Sequence, residues 1–142
     1  MVEVVDMAHS MSDDVRFPEM RREIISAVNA LASPEHQQRV WIDREYPHPG
    51  YYDDFTLNIH ILYDDTDVLE NTSSCIGDYL RSQDEVDALT KLAAAIDAMF
   101  AALGTELEDL DYMRSPFWGS VVSAAAAAVR VLANEGDQSA RT

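Results

Sequence analysis

FTLNIHILY, residues 55–63, is the stretch on which the fold turns. Phe55, Leu57, Ile59, Ile61 and Tyr63 fall at every second position, the period of a strand. Phe55, Ile59 and Leu62 also fall on one face of a helix, with Asp53 or Asp54 in the N-cap position before them. A run this short fits both periods, so its surroundings decide. Every neighbouring segment with a clear pattern is helical, and a lone strand would leave its backbone N–H and C=O groups unpaired. The alternative is a hairpin that pairs 55–63 with QRVWID, residues 38–43. The expectation is an all-α, single-domain bundle of about five helices, with a small hairpin within residues 38–63, and hence an α+β domain, as the alternative.

The segments on either side carry helix signals. Pro18 suits a first helical turn, and Met20, Ile24, Val28 and Leu31 then recur at steps of four and three, with Ile25 beside them and Arg21, Arg22 and Glu23 around the stripe. Ser33-Pro34-Glu35 reads as an N-cap, a proline and a first-turn acid, opening a short helix to about Arg44. YPHPGYYDD, residues 46–54, is a loop, because two prolines and a glycine break any regular element. Polar residues 71–74 and a turn at 76–80 lead to the strongest helix. Ser82 and Glu85 form a capping box, Val86, Leu89, Ala93, Ile96, Phe100 and Leu103 follow at steps of three and four, and Gly104 is the expected stop. Residues 105–112 predict a further turn or two. Ser115-Pro116 opens the last helix, with Trp118, Val121, Val122, Ala125, Val129 and Leu132 toward the core and Gly136 just beyond its end. The ends, about 1–14 and 136–142, read as loose.

Composition narrows the class. The chain has 142 residues, the size of one domain, with 26 acidic and 10 basic residues and a formal charge of −16. Hydrophobic residues still make up 47%, enough for a core, so this is not a disordered acidic tail. Such a surface repels nucleic acid and anionic membranes and attracts cations and basic proteins. No run reaches the ~18 apolar residues of a membrane span, and the amino terminus lacks the basic and apolar regions of a secretory signal. The single Cys75 cannot form an internal disulfide, which suits a reducing, cytoplasmic setting.

Motifs of catalysis are missing: there is no Gly-rich phosphate loop, HExxH, CxxC or GxSxG. Among the four histidines, His60 stands out. It lies four residues before Asp64, on the same helical face, with Asp53, Asp54, Asp65 and Asp67 near in sequence. A metal site on His60 and Asp64 is one reading. A tie between His60 and Asp64 or a carbonyl is the plainer one, since metal sites usually bring a second histidine or cysteine at ligand spacing. Residues 65–70 lack the turn glycine of a calcium loop. The acids concentrate in two stretches: eight within 43–70 against Arg44, and eight within 84–111 against Lys91. In the first, Tyr46, Tyr51, Tyr52, Phe55 and Tyr63 are interleaved with the carboxylates. That is how interaction surfaces are composed. Trp41 and Trp118 fit the core.

YDDFTLNIHILYDDTDVLENTSSCIGDYL, a capped helix and SPFWGSVVSAAAAAV together resemble a loose group of small bacterial cytoplasmic proteins. The likeness runs over about residues 53–133 and rests on His60, Asp64-Asp65-Thr66, Ile76-Gly77, and Trp118 with Val121-Val122. The group is all-helical, and several members are similar to immunity proteins of polymorphic or contact-dependent toxin systems. The resemblance implies a non-enzymatic protein-binding module, an immunity-type inhibitor of a basic partner such as a toxin, with no cofactor and no catalytic residue. The residues expected at that contact are Tyr51, Tyr52, Asp53, Asp54, Asp64 and Asp65. Two other readings stay open: a metal-binding protein centred on His60 and Asp64, and a structural helical domain whose apolar stripes form a homodimer; the expected state of the chain is a monomer or weak homodimer.

Overall fold

The computed structural model describes the backbone of residues 15–141 and the side chains of 15–133. The loose end expected at 1–14 lies outside the described residues. Six helices form among the described residues: α1, Pro18–Ala32; α2, Pro34–His36, which continues in π-helical form over Gln37–Ile42; α3, Phe55–His60, which continues likewise over Ile61–Asp65; α4, Gln83–Leu103; α5, Asp109–Met113; and α6, Trp118–Arg141. A short 3-10 turn, Thr72–Cys75, precedes α4. The fold is all-α. The hairpin alternative does not form, and the described residues show only an isolated bridge between Ile76 and Leu80. No helix among them is long and apolar enough to cross a membrane.

The ambiguous run becomes a helix because its start is capped. Asp54 is extended, and its Oδ1 accepts a hydrogen bond from the Leu57 amide at 2.8 Å. Its end widens into a π turn, where the Thr66 amide and hydroxyl both donate to the Ile61 carbonyl, at 3.0 and 2.7 Å. The buried positions of α3 are Phe55, Asn58 and Leu62, the i, i+3, i+7 spacing of one helical face, while Ile59 is only partly covered. The second helix differs from expectation in the same way. It opens as predicted, with Ser33 capping the His36 amide at 3.1 Å, but widens after one turn.

Elsewhere the signals hold. Ser82 caps the Glu85 amide at 3.3 Å. Gly104 ends α4 at φ 84°, its amide bonded to the Phe100 carbonyl at 2.7 Å. Residues 105–108 are irregular, and the further helical turn expected within 105–112 forms as α5. The last helix does not stop at Gly136; its backbone is helical to Arg141. A helix interior tolerates one glycine at a cost of about 1 kcal/mol.

Helix α6 packs along both α1 and α4. Val121, Ala125 and Ala128 are fully buried, and the small alanines let the neighbouring backbones come close. At one end of this packing Phe55 is the hub of an aromatic cluster. Its ring centroid lies 5.2 Å from Trp118, 5.6 Å from Tyr112, and 6.2–6.3 Å from Phe100 and Trp41. Two buried polar groups tie the frame. Gln37 donates to the Ala30 and Leu31 carbonyls at 2.9 Å, closing the C-terminus of α1, and accepts from the Trp118 indole at 3.1 Å. Arg21, expected beside the apolar stripe, is instead buried. It forms a two-pronged pair with the fully buried Glu85, both bonds at 2.8 Å, and also donates to the Tyr79 carbonyl.

Candidate docking cleft

A cleft of about 490 Å³ opens where the end of α2, the 46–54 loop and residues 107–113 meet. Each wall is held from behind. On one side the loop is anchored by Asp53, whose Oδ2 accepts from the Trp41 indole at 2.7 Å and meets His36 Nε2 at 2.7 Å. Its Oδ1 accepts from Asn58 at 2.8 Å. On the other side the Tyr112 hydroxyl donates to the Gly104 carbonyl at 2.5 Å and accepts from the Leu107 amide, which fixes the 104–112 turn. Thr56 donates to Asp109 Oδ1 at 2.7 Å and joins the two walls.

The rim is apolar and acidic together. Ile42, Tyr52 and Leu107 are 38%, 56% and 42% exposed, three of the five large hydrophobic side chains left in solvent among the described residues. All three line this cleft, as do Asp54, Glu108 and Asp109. Tyr46 stands edge-on to Tyr52 with ring centroids 6.2 Å apart. The Tyr52 hydroxyl donates to Asp54, and this bond to a carboxylate pushes the phenol pKa up to about 12. Arg44, at φ 58°, shares the mouth.

The six residues expected at the contact do not gather in one place. Tyr52 and Asp54 are in the cleft. Asp53, expected as a contact, is only 8% exposed, and the three side chains around it consume its carboxylate. It lines and supports the wall of the cleft. Tyr51 is half-buried against Tyr46 and His48 and looks into a separate recess with His36 and Asn58. Burial is the first cause of its raised pKa. Asp64 and Asp65 lie at the far end of α3, outside the cleft. There His60 Nδ1 meets Asp64 Oδ2 at 2.5 Å, an i, i+4 pair on the surface of the helix. No group of three His, Cys, Asp or Glu side chains that could hold a metal ion occurs among the described residues. Glu70, close to Asp64 and Asp97 and hydrogen-bonded to Asp67, has its pKa raised, first by that hydrogen bond.

Leu107, Glu108, Asp109 and Met113 were not foreseen as part of the site. No local pattern in the sequence connects Thr56 with Asp109, 53 positions away. A second groove, of about 740 Å³, runs between α4 and α6 and is lined by small residues such as Gly119, Ser123 and Ala127, with Asp84, Asp87 and Lys91 on its border.

Fold and site thus define a small all-helical domain with an acidic, aromatic cleft at one end. The chain belongs to the family described as a domain of unknown function, DUF7945, whose model matches residues 15–140. No curated protein and no solved structure matches the chain significantly.

Proposed function

We propose that this protein is a non-enzymatic binding module whose acidic, aromatic cleft docks on a basic protein. The immunity-type reading suggested by the sequence makes a toxin that itself handles nucleic acid the partner class of choice. One observation carries the proposal: the exposed Ile42, Tyr52 and Leu107 converge on the same cleft as Asp54, Glu108 and Asp109. Exposed apolar and aromatic side chains supply residence time, and surrounding carboxylates speed and orient the encounter. The overall charge of −16 favours a basic partner at long range.

The test is binding between the purified full chain and the product of the adjacent gene, by calorimetry at low and physiological salt. A basic partner bound with micromolar or tighter affinity, and weakened when Tyr52→Ala and Glu108→Gln are combined, supports the proposal. No binding to a basic neighbour at low salt, or binding indifferent to that double substitution, rejects it.

A further inference from the structure

We propose that the cleft is a receptor for a single arginine side chain of the partner; this rests on the docking reading above and names the group its deepest contact holds. The volume of about 490 Å³ lies in the range of about 300–1,000 Å³ typical of small-ligand sites. Its chemistry is that of a guanidinium pocket. Tyr52, 56% exposed, leaves aromatic surface in solvent for stacking. Among the described residues the Glu108 carboxylate has no hydrogen bond or ion pair, and Asp109 uses only Oδ1, on Thr56. The Asp109 Oδ2 and both Glu108 oxygens therefore remain for an incoming donor. Exposed Ile42 and Leu107 provide apolar surface for a three-methylene stem.

Arginine fits this set better than lysine does. Its guanidinium is planar, stacks on aromatic rings, sheds water easily and meets a carboxylate with two parallel bonds. A lysine ammonium is strongly hydrated and has no flat face. Asp53 adds negative potential from behind the wall while its oxygens stay engaged. Arg44 shares the mouth and forms no ion pair among the described residues, so it leaves the acids available but repels an arriving cation.

The experiment is an amide NMR titration of the ¹⁵N-labelled full chain with N-acetyl-arginine amide, beside the lysine and the uncharged citrulline counterparts. Expected is a saturable shift confined to residues 41–56 and 107–113, several-fold tighter for arginine than for lysine and missing for citrulline. Glu108→Gln with Asp109→Asn weakens it at least fivefold. Asp84→Asn with Asp87→Asn, the same loss of charge on α4, leaves it within twofold. Arg44→Ala tightens it. Each spectrum shows at once whether its variant is folded. Shifts spread over every acidic segment, lysine equal to arginine, or equal effects of the two double variants would overturn the proposal. If the arginine probe fails while the basic protein still binds, the docking face stands and the receptor falls. If arginine seats in the cleft and no basic protein binds, the receptor stands alone.

Discussion

Arg21 and Glu85 place two full charges inside a small helical domain, where neither is solvated and each depends on the other. Their side chains are only 7% and 0% exposed. Glu85 also accepts from the Arg81 amide at 2.8 Å, just before α4, so the pair locks that turn onto α1. Removing one partner leaves a buried charge uncompensated, at a cost of about 3–5 kcal/mol. That is a large share of the ~10 kcal/mol typical of a domain this size. Glu85→Gln or Arg21→Met alone should therefore lower the urea midpoint steeply. Arg21→Met combined with Glu85→Leu should recover most of the loss, and an additive double variant would contradict the pairing. At Glu70 the sign is reversed. Its folded pKa is raised above the ordinary 4.5, chiefly by the hydrogen bond with Asp67. A carboxyl that holds its proton more firmly when folded favours folding below its unfolded pKa, and the benefit fades as pH rises through the raised value. Glu70→Gln should thus raise Tm at pH 7 and leave it nearly unchanged at pH 4. An equal rise at both would sink the assignment.

At the level of elements, two glycines give opposite predictions from one substitution. Gly104 ends α4 at φ 84°, and no atom lies within 4 Å of a Cβ added there. Alanine at 104 meets only backbone strain, about 1–3 kcal/mol at this glycine-favoured φ and ψ, and should lower Tm. Gly119, in the first turn of α6, is equally unobstructed and carries no such φ. Alanine at 119 should stabilise by about 0.5–1 kcal/mol. Thermal melts of the two variants, moving in opposite directions, check both assignments. The stop at Gly104 was readable from the sequence because cap, periodic stripe and glycine all lie within one segment. The helical state of 55–63 followed from its helical surroundings rather than from its own period, and of the two candidate caps it is Asp54 that forms. The π turns were not readable, because nothing local in Gln37–Ile42 or Ile61–Asp65 marks a widened turn, and Asn58 is buried where Ile59 was expected because its amide donates to Asp53 and to the Asp54 carbonyl. Leu92 and Met99, both fully buried, also fell outside the predicted stripe. Helix α4 is covered by α6 and by the turn at Thr72–Cys75, so it buries a wider arc than one partner would require. Of the site, Tyr52 and Asp54 were legible as aromatic and acidic neighbours in one loop. The inward turn of Asp53 was not, since it depends on Trp41, His36 and Asn58, whose convergence only the folded chain creates. The 107–113 wall is remote in sequence and carries no motif.

Over the whole molecule, the charge of −16 sets folding and binding against each other. Like charges crowd together when the chain folds, so screening them helps the folded state. The same charges would draw the proposed basic partner from a distance, so screening would slow the encounter. The Debye length falls from about 30 Å at 0.01 M salt to about 8 Å at 0.15 M. Over that interval the long-range part of both effects is largely removed. Tm should therefore rise, while the association rate with a basic partner falls by about tenfold or more. The dissociation rate should change far less, because Tyr52, Ile42 and Leu107 hold by desolvated contact rather than by distant charge. Differential scanning calorimetry and stopped-flow association, run in the same buffers, measure the two trends side by side. A Tm that falls with salt would mean that specific ion pairs outweigh the general repulsion. An association rate that ignores salt would mean that the field of this molecule plays no part in finding its partner, and the docking proposal would lose its electrostatic basis.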